Sequence, residues 1–96
     1  MTQPMHRHPA LPIFKIFGVP SRLVVFQRVA RRPSTAGELA RELPISRTAV
    51  VQHLTLLRRH GLVEQAADGR RRVYRATAQG LAPLRDWLAR HDKPRA

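Results

Sequence analysis

A mostly α-helical fold with one small β-hairpin is what this 96-residue sequence predicts, and three observations predict it. Apolar residues recur at helical spacing along most of the chain. Thr35 and Ser46, two N-cap residues, each stand ahead of such a run and are close enough to leave only a tight turn between two helices. Asp68-Gly69 separates two short extended runs, the pattern of a hairpin. At this length the chain is one small domain with a single modest core and little room for a buried active-site cavity, which favours a binding module over an enzyme.

Taken in order, the opening MTQPMHRHPALP carries three prolines and no periodicity, and residues 1–10 read as a flexible arm. Leu11 to Phe17, LPIFKIF, forms one or two helical turns that present Phe14 and Phe17 to a partner surface. A helix then starts with Pro20 in its first turn, where the missing N–H costs nothing, and stops before Pro33. Its spacing puts Leu23, Phe26 and Ala30 inward. Thr35 and Glu38 make a capping box for a short helix ended by Pro44. Ser46 caps the next helix, Arg47 to His60, which stops at Gly61. Two strands follow, near Leu62–Ala66 and Arg71–Ala76, about an Asp68-Gly69 turn. The last helix begins near Gly80, so that Pro83 is tolerated, and aligns Leu81, Leu84, Trp87 and Leu88. The order helix, helix, helix-turn-helix, hairpin, helix is a winged helix-turn-helix over residues 11–92, with a short tail at 93–96.

Charge narrows the partner. Eighteen Lys and Arg, sixteen of them Arg, oppose six Asp and Glu, a formal net charge of +12 that raises association with polyanions. The longest unbroken aliphatic or aromatic run, Leu23 to Phe26, is far too short for a membrane span or a signal-peptide core, so a cytoplasmic protein without membrane attachment is expected. Cysteine is absent, which removes disulfides and thiolate metal sites.

The helix opened by Ser46 has two unlike faces. At about 100° per residue, Val50, Leu54 and Leu57 form its core stripe. The opposite side holds Thr48, Gln52, Thr55 and Arg59, flanked by Arg47, Val51 and Arg58, with no acidic residue among them. Surface faces usually mix signs, so an acid-free polar stripe suits the phosphate-lined major groove of double-stranded DNA, although it is also compatible with a merely solvated face. The helix N-terminus enters the groove in such docking. Gln52 can pair with an adenine edge, Val51 and the Thr48 methyl can pack on a thymine methyl, and Arg47 can reach a guanine edge or a phosphate. Ser34, Thr35 and Ser46 lie at helix starts, where they either favour phosphate oxygens or simply cap. Arg58 and Arg59 are placed for phosphate.

Arg70, Arg71 and Arg72 follow the Asp-Gly turn and make a basic wing tip of the sort that lies along a backbone or minor groove, unless they only solubilise an edge hairpin. His53, at the border of the core stripe, reads as a histidine satisfied by a nearby polar group that also touches a phosphate.

GELARELPISRTAVVQHLTLLRRHGLV, with DGRRRVYRAT and GLAPLRDWLAR, resembles the ArsR-type (arsenic-repressor) family of bacterial winged-helix transcription factors over about residues 11 to 91. The resemblance implies a homodimer, usually a repressor, that binds an imperfect palindrome and is held together by its first and last helices. Ile13, Phe14, Phe17, Leu81, Leu84, Trp87 and Leu88 match that interface, or pack internally. The family's Cys-x-Cys metal box is missing from GELAREL, and Asp86, His91 and Asp92 do not follow its zinc spacing. The chain thus resembles the cysteine-free branch, with no metal, no cofactor and no named small-molecule or metal effector. Val51 stands where many relatives carry serine, and Val19 replaces an aspartate cap, at a cost of about 1 kcal/mol to that helix start.

Two other readings remain open. His6, His8, His60 and His91 with carboxylates would make a metal-responsive repressor, and the same fold also serves RNA-binding or protein-interaction adaptors. Against RNA, the polar stripe carries no aromatics on which bases stack. Enzyme function has least support: Ser46 and His53 are seven residues apart on one helix, about two turns, too far for a nucleophile and its base to meet.

Overall fold

A computed structural model describes residues 8–92, so most of the expected arm and all of the 93–96 tail lie outside the described residues. The elements are α1 (Leu11–Phe17), α2 (Pro20–Arg31), α3 (Ala36–Glu42), α4 (Arg47–Arg59), β1 (Val63–Asp68), β2 (Arg71–Ala76), a 3-10 turn (Ala78–Leu81) and α5 (Ala82–His91). This is the winged helix-turn-helix that the sequence predicts.

The local signals act as their chemistry requires. Thr35 accepts from the Glu38 N–H (3.1 Å) while Glu38 accepts from the Thr35 N–H (2.8 Å), a complete capping box at the start of α3. Ser46 accepts from the Ala49 N–H at 3.1 Å. Gly61 follows α4 at φ 71°, a backbone region that costs glycine nothing. Val19 makes no side-chain cap, so α2 relies on Pro20 to set its first turn.

Val50, Leu54 and Leu57 of α4 have no exposed surface and form the centre of the core. Around them pack Ile13 and Ile16 of α1, Val25, Phe26 and Val29 of α2, Leu39 of α3, and Leu62 and Val63. Each fully buried leucine or valine contributes about 1.5–3 kcal/mol relative to exposure. The inward face of α2 is a correction to the sequence reading. Phe26 points in as expected, but Val25 and Val29 are buried with it, while Leu23 is half-buried and Ala30 exposed. Leu23-Val24-Val25-Phe26 is apolar at every position, so spacing alone does not select a face; contact with α1 and α4 does.

The hairpin pairs Val63 with Ala76 through Asp68 with Arg71. β1 therefore runs two residues further than the expected Ala66, and Gly69-Arg70 forms the two-residue loop in place of Asp68-Gly69. Gly69 at φ 64° takes the first loop position, as a primed hairpin turn demands. A single antiparallel bridge ties β2 to the α2–α3 connection: Ser34 N–H to Tyr74 O (3.0 Å) and Tyr74 N–H to Ser34 O (2.8 Å).

After the wing, Thr77 donates its N–H to Leu62 O (3.0 Å) and its hydroxyl to Gly61 O, which brings the 3-10 turn back against the end of α4. At Gly80 a Cβ would run into the Gly61 carbonyl and Leu62 Cα, so this crossing requires glycine. α5 begins at Ala82, with Pro83 within its first two positions, slightly later than the sequence suggests.

Candidate nucleic-acid interface

α4 is divided by burial as the sequence predicts. Arg47, Thr48, Val51, Gln52, Thr55, Arg58 and Arg59 are all exposed, and Val51, at 42%, is an apolar side chain left in the open on a polar stripe. The Thr55 hydroxyl donates to Val51 O (2.8 Å), which uses its proton and leaves its oxygen free to accept. With Ser46 occupied as the cap, the first turns of α4 offer Arg47, Thr48, Val51 and Gln52 outward.

The wing returns beside this stripe. Thr35, Gly37, Arg41, Arg47, Val51, Arg70, Arg71, Arg72 and Tyr74 line one open cleft between the start of α3, the start of α4 and the hairpin. Arg71 reaches Glu38 (3.2 Å) and Asp68 (3.9 Å), so it anchors the wing to α3 as much as it faces outward. The Thr35 N–H, then the Thr35 hydroxyl and the Arg71 guanidinium, hold the Glu38 carboxyl below the usual carboxylate range. Arg41, Arg47, Arg70 and Arg72 have no ion-pair partner among the described residues. The cleft is thus cationic: no carboxylate among the described residues lines it, and the two nearby, Glu38 and Asp68, are both paired with Arg71. Arg58 and Arg59 line a second hollow with Thr55 and Tyr74 at the far end of α4.

Two expected contacts are corrected. Ser34 is 1% exposed; its hydroxyl donates to Arg32 O (2.9 Å) and accepts from Arg28 (3.1 Å), so it builds the wing anchor and cannot meet a phosphate. Arg28 extends that anchor by ion-pairing with Glu42, whose carboxyl is lowered chiefly by this hydrogen bond. His53 is half-buried, with Nε2 2.9 Å from Ser21 Oγ, and burial, then Arg22, push its imidazole below the ordinary value. It is the satisfied histidine, and it stands outside the exposed stripe. Conversely, Arg41 was missed by sequence reasoning. It lies six residues after the Thr35 cap, and the absent side chain of Gly37 leaves open the space beside it, with Arg41 and Arg47 guanidinium nitrogens 3.8 and 3.9 Å from where a Cβ would be.

The other expected surface is apolar. α5 buries no residue within the protomer. Phe14 (41%) and Leu88 (45%) are exposed, with Trp87 and Phe14 edge-to-face at 5.0 Å and His91 tilted over Trp87 at 4.5 Å. Ile13 is a correction, since it lies inside the core and has no surface to offer a partner. Phe17 packs against Phe26, and Leu81 and Leu84 also pack partly on the core, so Phe14, Trp87 and Leu88 are the residues left for an interface.

His8 lies 3.7 Å from Asp86, His60 Nδ1 meets Leu56 O at 3.1 Å, and His91 is on Trp87; His6 lies outside the described residues. Among the described residues no three His, Asp or Glu groups converge on a metal position, and no helix is long and apolar enough to cross a membrane.

Residues 18–66 match a helix-turn-helix domain family. The chain is 47% identical over 70 residues to the HTH-type transcriptional regulator Rv2034 of Mycobacterium tuberculosis, a match taking in 73% of this chain and 65% of that protein, just under two thirds of its length. It is 35% identical over 66 residues to the HTH-type transcriptional regulator YgaV of Escherichia coli, covering 68% and 67% of the two chains. Among solved structures it is similar to an ArsR-like transcriptional regulator from Rhodococcus sp. RHA1, with TM-score 0.79, 31% identity, and 88% and 79% of the chains covered.

Proposed function

This chain belongs to the ArsR-type family of helix-turn-helix transcriptional regulators, and from that premise we propose that it is a cytoplasmic homodimeric repressor that binds an imperfect palindrome in double-stranded DNA. The observation that carries the proposal is the exposed acid-free stripe of α4, continuous with a cleft in which four arginines lack an ion-pair partner among the described residues. Thr48, Val51 and Gln52 read base edges, Arg47 reads a base or holds a phosphate, and Arg58, Arg59, Arg70 and Arg72 hold backbone. Thr35 and Ser46 present helix N-termini to phosphate. Phe14, Trp87 and Leu88 meet their counterparts in a second copy, which sets half-sites about one helical turn, roughly 34 to 36 Å, apart.

The test is selection of bound sequences from random duplex DNA at about 150 mM salt, beside a sizing run. Enrichment of a palindrome bound by a dimer is expected. If a dimer neutralises about 6 to 10 phosphates, affinity falls about 10³- to 10⁵-fold between roughly 50 and 200 mM salt. Tight, salt-sensitive binding without enrichment overturns the reading of bases by α4, and a flat salt response overturns DNA binding altogether.

A further inference from the structure

One hollow takes no part in the surface assigned to DNA. It has a cavity volume of about 570 Å³ and lies between α1 with its lead-in, the first turn of α2 and the last turn of α4. That volume is in the range of small-molecule sites. Its apolar lining comes from Leu11, Pro12, Ile16 and Leu56, and its polar groups are Lys15, Arg22, His8 and His60. No acidic residue lines it.

Arg22 makes this more than an irregular surface. Its Nε is buried with no hydrogen-bond partner, and the guanidinium has no ion-pair partner among the described residues. Proteins rarely leave a buried donor unmatched, so the Arg22 Nε–H calls for an acceptor, and its unpaired guanidinium favours an anionic one. Lys15, exposed on α1, is a second cation at the same hollow. Two cations beside aliphatic walls match a carboxylate joined to an apolar body, because the charge meets Arg22 and Lys15 while the body covers Leu11, Ile16 and Leu56.

We infer that this hollow is a binding site for a small amphipathic carboxylate. The site touches both α1, the helix that carries Phe14 on another side, and the end of α4, so an occupant contacts both helices. The inference does not rest on DNA binding, and its test reads the ligand directly.

Octanoate titrated into the full chain, followed by amide NMR shifts, is the probe, with 1-octanol as the uncharged body and acetate as the bodiless charge. Saturable shifts at Lys15, Ile16, Leu56 and His60 are expected, with octanoate at least about tenfold tighter than either control. Arg22→Met and, at an exposed position that does not threaten folding, Lys15→Met each weaken octanoate by about tenfold or more. Equal binding of 1-octanol, shifts centred on Phe14 and Leu88 instead, or unchanged affinity in the folded Lys15→Met and Arg22→Met variants overturns the site.

Discussion

α4 and α5 are both amphipathic helices, yet they spend their two faces in opposite ways. α4 buries its apolar stripe completely in its own chain and leaves a basic polar stripe outside; α5 buries no residue and leaves Leu88 exposed and Trp87 half-buried. The difference separates two recognition chemistries. Exposed arginines beside a fully supported backbone suit a polyanion, whereas an unburied apolar stripe gains most from a matching apolar surface. The helix already fixed by the core is the one held rigidly enough to read geometry, and the helix with spare apolar surface is the one to which the proposed function assigns self-association.

Equal leucine truncations in the two helices should act on different properties. Leu54→Ala is expected to destabilise by about 2–5 kcal/mol in urea unfolding, while Leu88→Ala changes protomer stability by under about 0.5 kcal/mol and instead weakens self-association in sedimentation. Similar unfolding losses would erase the distinction. Next, Gly80→Ala forces a methyl into the Gly61 carbonyl where the chain leaves the wing for α5, and a loss of about 1–3 kcal/mol is expected; a neutral result means the crossing is loose and α5 is free to shift.

Arg47→Ala sharpens the other half. It should leave the unfolding midpoint alone and either cost about 1–3 kcal/mol at one base position or lower the salt slope by about one, and binding curves on matched and mutated sites tell these apart. The smallest effect concerns His53. Its folded pKa lies below the ordinary 6.5, so the unfolded chain takes up the proton first as pH falls. Stability from the neutral ring is complete above about 6.5 and is lost on acidification towards the lowered folded value. His53→Gln should therefore flatten the loss of stability between about pH 7.5 and about pH 5.5, and an unchanged slope assigns that loss to other groups.

What the sequence revealed was local. The Thr35–Glu38 box, the Ser46 cap, Gly61 and the two faces of α4 each follow from contacts within a few residues, and all are present. What it hid depends on residues far apart in the chain. Ser34 looks like a phosphate-facing cap until Tyr74 pairs with it forty residues later, Ile13 looks like an interface residue until the core closes over it, and the rotation of α2 is chosen by its neighbours. Gly80 gives no local sign that another backbone crosses it. Arg41 is an unremarkable helix arginine until the wing folds back and makes it part of a cleft.

The burial divide along α4 also bears on how such a protein diversifies. Thr48, Val51 and Gln52 stand in the open, and substitutions at exposed positions of this sort usually change stability by no more than about 0.5 kcal/mol. Gene duplicates are then free to drift through new combinations at these three sites while Val50, Leu54 and Leu57 keep the scaffold folding. On the proposed reading, the vocabulary of targets is then inherited separately from the architecture, and a library randomised at 48, 51 and 52 should sample that vocabulary without disturbing the architecture.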